Sequence, residues 1–116
     1  MRPIFLLSAG IMAFSTLSAV AATKPTRFWN LTAKTVTSFE LAKAGTTSFG
    51  PDLCKSDKDG SVDYDERLNL PDSVAPGSYD VKLGYASGRT CVVKNVSIKK
   101  GKVFSIDDKS LTDCTK

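Results

Sequence analysis

The sequence predicts an all-β protein: a small antiparallel β-sandwich, immunoglobulin-like or an open barrel, behind an N-terminal signal peptide. Three observations carry this expectation. Residues 1–22 have the layout of an export leader. No later stretch sustains a helical period; short runs alternate between apolar and polar instead. Glycine and proline turn signals separate those runs, as in two-layer β domains. With 41% hydrophobic and 24% charged residues among 116, the composition is that of a folded chain and fits neither disorder nor a coiled coil.

The leader reads MRPIFLLSAGIMAFSTLSAVAA, with Arg2 at its start, an apolar stretch from Ile4 to Leu17 and small residues at Ala19, Ala21 and Ala22. It is too short and too weakly flanked for a membrane span, and no second apolar run follows. Cleavage after Ala22 leaves residues 23–116 as a single domain in the periplasm or outside the cell. A domain that small buries a modest core, and an oxidising compartment permits a disulfide to reinforce it.

The strands follow in order. Trp29 and Leu31 share a face in the first run, and Phe39 and Leu41 share one in the next, over Thr35 to Ala42. Leu68 and Leu70 alternate with Arg67 and Asn69. Tyr79, Val81, Leu83 and Tyr85 line one face of a half-buried strand, with Asp80 and Lys82 on the other. Ser87-Gly88 predicts a hairpin between the 79–86 and 90–98 runs. Lys100-Gly101 predicts a second hairpin, to a strand over 103–107 in which Phe104 and Ile106 share a face.

Three cysteines, Cys54, Cys91 and Cys114, allow at most one disulfide within the chain. The second hairpin would place Cys91 opposite Ser110, from where a curl of Leu111-Thr112-Asp113 returns Cys114 to it. Closing that loop contributes about 3.4 kcal/mol on the chain-entropy model. The rival pairings, 54–91 and 54–114, differ by well under about 1 kcal/mol on the same model, so hairpin geometry and not entropy favours Cys91–Cys114. Cys54 is then the free thiol: an intermolecular link giving a dimer, a reactive group, or a buried cysteine beside Leu53.

The sharpest chemical signal is KSDKDGSVDYDE over residues 55–66. With Gly60 at the sixth position of a twelve-residue calcium loop, Asp57, Asp59 and Asp63 fall at the third, fifth and ninth. Ser61 would offer its carbonyl from the seventh, Val62 fills the hydrophobic eighth, and Glu66 offers a bidentate carboxylate from the twelfth. A weak Ca²⁺ site through Asp57, Asp59, Ser61, Asp63 and Glu66 is the expectation. Against it, Lys55 stands where the first ligand belongs, and Pro51 and Pro71 leave no room for flanking helices. Such a site would be non-helical and would borrow Asp52 or Asp72. The plainer alternative is a solvated polar loop.

The chain has 16 basic against 12 acidic residues and a formal charge of +4. Lys82, Arg89, Lys94, Lys99, Lys100, Lys102 and Lys109 concentrate positive charge in the last third. They suit either an anionic surface or protection of β-edges, and export disfavours nucleic acid. There is no histidine, which removes Ser-His and Cys-His nucleophilic sites and His-ligated metals. Acid–base work by Asp63 and Glu66 would need a desolvated cleft that a lysine-flanked acidic turn does not offer. No enzyme is expected. Asn30-Leu31-Thr32 and Asn95-Val96-Ser97 match the N-glycosylation pattern.

Several short motifs bear a resemblance. Phe28-Trp29-Asn30-Leu31-Thr32, Phe49-Gly50-Pro51-Asp52, Asp65-Glu66-Arg67-Leu68 and Pro76-Gly77-Ser78-Tyr79-Asp80-Val81 are four of them. Gly88-Arg89-Thr90-Cys91 and Leu111-Thr112-Asp113-Cys114 complete the set. Together the chain resembles a family of small exported proteobacterial β-sandwich proteins of unassigned function. Relatives tend to carry Trp where Phe49 stands, a change that matters little in a packing role. The resemblance implies a compact exported sandwich and supports pairing the last two cysteines; it carries over no catalytic residue. Two functional expectations follow. One is an exported, monomeric, non-enzymatic binding module for a protein or envelope component, with the weak calcium site. The other is a metal-free structural or envelope-associated protein that touches anionic surfaces through its basic C-terminal strands.

Overall fold

In the computed structural model, residues 24–115 are described; the predicted signal peptide, residues 1–22, lies outside them. Seven strands form two sheets: β1 (Arg27–Leu31), β2 (Val36–Lys43), β3 (Arg67–Asn69), β4 (Gly77–Tyr85), β5 (Thr90–Ile98), β6 (Val103–Asp107) and β7 (Asp113–Cys114). The smaller sheet has the order β3-β1-β6 and the larger β2-β4-β5-β7. The all-β prediction therefore holds, as a two-sheet fold.

The sheets close on a shared apolar layer. Phe28 from the small sheet lies 4.7 Å, centroid to centroid, from Phe39 of the large one, and Phe104 of β6 lies 5.8 Å from Phe28. Tilted rings at these separations add to their area burial. Val36, Leu68, Val81, Leu83, Ile98 and Ile106 are among the residues buried with them. Along β1 the alternation runs opposite to the expected one: Phe28 and Asn30 point inward, while Trp29 and Leu31 are half-buried.

The first predicted hairpin is present. β4 and β5 pair antiparallel, and Tyr85 N–H donates to Arg89 O at 3.0 Å across the turn. Asp80 departs from its predicted solvent face and is buried. Between the pairs Tyr79↔Val96 and Val81↔Val93, two residues of β5 oppose Asp80 alone, a bulge in which Asn95 adopts φ 57°. The Asp80 carboxylate accepts from Asn95 N–H at 3.1 Å and from Gly45 N–H at 3.2 Å, which satisfies the bulge and ties it to the β2 end.

The second predicted hairpin does not form, and this corrects the wholly antiparallel expectation. β6 crosses to the other sheet and runs parallel to β1, Arg27↔Val103 through Leu31↔Asp107. The turn explains the crossing. Gly101 sits at φ 73°, its N–H donates to Thr26 Oγ1 at 2.9 Å, and Arg27 N–H donates to Lys102 O at 3.1 Å. The chain leaving β5 is thus captured by the start of β1, and Phe104 and Ile106 enter the core from the smaller sheet.

Candidate functional site

The acidic loop is built by its backbone, and it disperses its carboxylates. Val62 is buried and exchanges both backbone hydrogen bonds with Val36, at 2.9 and 2.8 Å, pinning the middle of the loop to β2. Before it, Asp57 accepts from Asp59 N–H at 3.2 Å. After it, Asp63 accepts from Thr35 Oγ1 at 2.8 Å, and Glu66 accepts from Asp63 N–H at 2.9 Å. Asp65 takes the Trp29 indole N–H at 3.0 Å, with the Arg67 guanidinium 4.2 Å from the indole centroid. Asp52, a candidate extra ligand, accepts from Phe39 N–H and Cys54 N–H, both at 2.9 Å.

Calcium requires six to eight oxygens converging on one point. Among the described residues no three acidic, cysteine or histidine side chains are gathered so that they could hold a metal ion. The calcium expectation at Asp57, Asp59, Ser61, Asp63 and Glu66 is therefore corrected. The spacing matched a ligand loop, but three of its four carboxylates, those of Asp57, Asp63 and Glu66, turn to separate local N–H or hydroxyl donors.

The cysteines sort as expected, by a different route. Cys91 and Cys114 form a disulfide and are directly paired across β5 and β7. The approach is made by a short 3₁₀ turn over Asp108–Ser110 and an extended return, since β6 lies in the other sheet. Cys54 is free and fully buried at a 3₁₀ turn over Leu53–Ser56. Burial, reinforced by Asp52 and Asp57, pushes its thiol up to about 12. A protonated sulfur without solvent contact neither attacks nor links, so the reactive-thiol and Cys54-linked-dimer expectations fail in the folded chain.

Basic residues meet at both ends of the fold. At one end, the turn carrying exposed Lys99, Lys100 and Lys102 packs on residues 24–27, adding exposed Lys24 and half-buried Arg27 to the run. Lys100 Nζ bonds the carbonyls of Asp72 and Val74; among the described residues none of the five forms an ion pair. Lys94, counted with them in the sequence, pairs instead with Asp113 at 3.9 Å, and Lys82 with Glu40 at 3.6 Å.

At the other end, a cleft of about 420 Å³ is lined by Lys34, Thr35, Tyr85, Ala86, Ser87 and Arg89. Lys34 was not among the residues the sequence singled out, because it lies outside the basic C-terminal third and only the fold brings it to the hairpin turn. Tyr85 donates to Thr32 Oγ1 at 3.2 Å, and burial raises its phenol above the ordinary range. The glycosylation pattern at Asn30 is explained structurally. Its fully buried amide accepts from Thr32 N–H and Oγ1, and donates to Lys34 O and Val62 O.

No helix among the described residues is long and apolar enough to cross a membrane. Comparison with protein-family models, curated proteins and solved structures finds no match for this chain.

Proposed function

We propose that this chain is an exported, non-catalytic binding module, an immunoglobulin-like sandwich that contacts anionic envelope surfaces through its lysine-rich end. The observation that carries the reading is the junction of Lys99, Lys100 and Lys102 with Lys24 and Arg27, five cations without an ion-pair partner among the described residues. A cluster of this kind raises the local concentration of anions and attracts an anionic bilayer by about 1 kcal/mol per cation. The disulfide supports export, since such cross-links persist in oxidising compartments. The leader at residues 1–22 and the resemblance to small exported proteobacterial sandwiches point the same way, to a periplasmic or secreted monomer. With the calcium site withdrawn, the metal-free reading is the better of the two.

Co-sedimentation with vesicles tests it. Binding to phosphatidylglycerol vesicles is expected at low salt and should fade as ionic strength rises from about 0.05 to about 0.5 M, where screening becomes severe. The triple variant K99Q/K100Q/K102Q should bind at least about a hundredfold more weakly. Equal binding to neutral phosphatidylcholine vesicles, or binding indifferent to salt, would sink the reading.

A further inference from the structure

We propose that the cleft between Lys34 and Arg89 binds a small organic anion. Its carboxylate or phosphate would lie between the two cations, with the body of the ligand against Tyr85 and Ala86. The two cations arrive on separate connections, Lys34 from the one between β1 and β2, Arg89 from the β4–β5 turn. Both backbones are held in place. Lys34 O accepts from the buried Asn30 amide at 3.0 Å, and Arg89 N–H donates to Ser87 Oγ at 3.3 Å.

Arg89 Nε is buried and has no hydrogen-bond partner. A guanidinium N–H shielded from water without an acceptor is unfavourable, and an anion accepting from it removes that penalty. Neither cation forms an ion pair among the described residues. The nearby carboxylates are engaged elsewhere: Asp63 accepts from Thr35 Oγ1, and Asp108 accepts from Ala33 N–H at 3.2 Å. These two acids also bound the charge the cleft tolerates. They favour a ligand with a single anionic group over a dense polyanion. A volume of about 420 Å³ is within the range of small-molecule sites.

This site is separate from the lysine-rich end. The β4–β5 ladder runs from Gly77↔Ile98, beside that end, to Gly84↔Thr90, beside the cleft. Its length is about 23 Å along β4 at the usual rise per residue. Failure of vesicle binding and failure of this proposal are therefore distinguishable.

Two-dimensional NMR of the full mature chain decides it, with phenyl phosphate, benzoate and inorganic phosphate as probes. Phenyl phosphate is expected to give saturable shifts at the Arg89 Nε–H and at the amides of Lys34, Thr35 and residues 86–89. Benzoate should shift the same set, and inorganic phosphate should do so with lower affinity, lacking the ring. Arg89→Gln should weaken phenyl phosphate at least about tenfold, the loss expected for a charge-assisted hydrogen bond. Lys34→Gln, on an exposed side chain, supplies an independent loss should the turn be disturbed by the first change. K99Q/K102Q should titrate as the wild type. Shifts that stay linear, that spread equally to residues 24 and 99–102, or that survive both cleft variants would overturn the proposal.

Discussion

Cys54 shows how a side chain acquires its chemistry from its surroundings. Beside Lys55 in the sequence, it looks like a thiol with an adjacent cation; in the fold it is sealed in the core, its Sγ 4.0 Å from Val36 O. Native protein should therefore leave Cys54 unmodified by a thiol reagent at pH 8, and one thiol per chain should react once denaturant is added. The pH consequence has a definite sign. A cysteine thiol titrates at 9.0 when unperturbed and at about 12 here, so the folded state holds the proton longer. The contribution is complete below pH 9.0 and is lost as pH rises toward 12. Denaturation midpoints of wild type and Cys54→Ala, compared from pH 8 upward, should show the wild type losing ground to the variant. At neutral pH the variant should be less stable by about 1 kcal/mol, from lost packing.

At the scale of elements, the pairing of β2 with β4 depends on a close approach that a methyl group would block. Gly84 stands opposite Ser38, and a Cβ on Gly84 would overlap Ser38 Oγ. Gly84→Ala should destabilise by about 1–3 kcal/mol, the usual range for overpacking. Ser38→Ala in the same chain should recover a large part of that loss, because the Ser38 Cβ is 3.4 Å from the added carbon. Urea denaturation of the two single variants and the double variant measures the coupling; strictly additive effects would contradict it. The neighbouring bulge shows the same dependence between strands. Asp80 can be buried because Asn95 turns its N–H inward and Gly45 supplies a second donor.

For the whole molecule, the division of charge between loop and ends decides which ions matter. The acidic loop holds its carboxylates apart in local hydrogen bonds, whereas seven basic residues without an ion pair among the described residues lie at the two ends of the strands: Lys24, Arg27, Lys99, Lys100 and Lys102 at one, Lys34 and Arg89 at the other. Addition of millimolar calcium should leave the melting temperature unchanged, and Asp57→Asn with Asp59→Asn should respond no differently. A calcium-dependent rise, abolished by that pair of substitutions, would show that the loop gathers ligands after all.

Much of this architecture is legible in order along the chain. Period-two alternation and Ser87-Gly88 identify β4, β5 and their hairpin, because both signals depend on neighbours a few residues apart. The Cys91–Cys114 pair is the expected one, but the hairpin it was argued from does not form, and β7 brings the two cysteines together instead. Three features are decided only in three dimensions. β6 joins β1 because Thr26 and Arg27 capture the turn at Gly101, a contact between residues some 75 apart in sequence. The calcium-like spacing does not become a site because Asp57, Asp63 and Glu66 each turn to a different local donor instead of converging. Lys34 and Arg89 line one cleft because the β1–β2 connection and the β4–β5 turn border it together. Periodicity reports which face of a strand is apolar; which strand it pairs with, and which charges then face one another, depends on long-range contacts that no local pattern encodes.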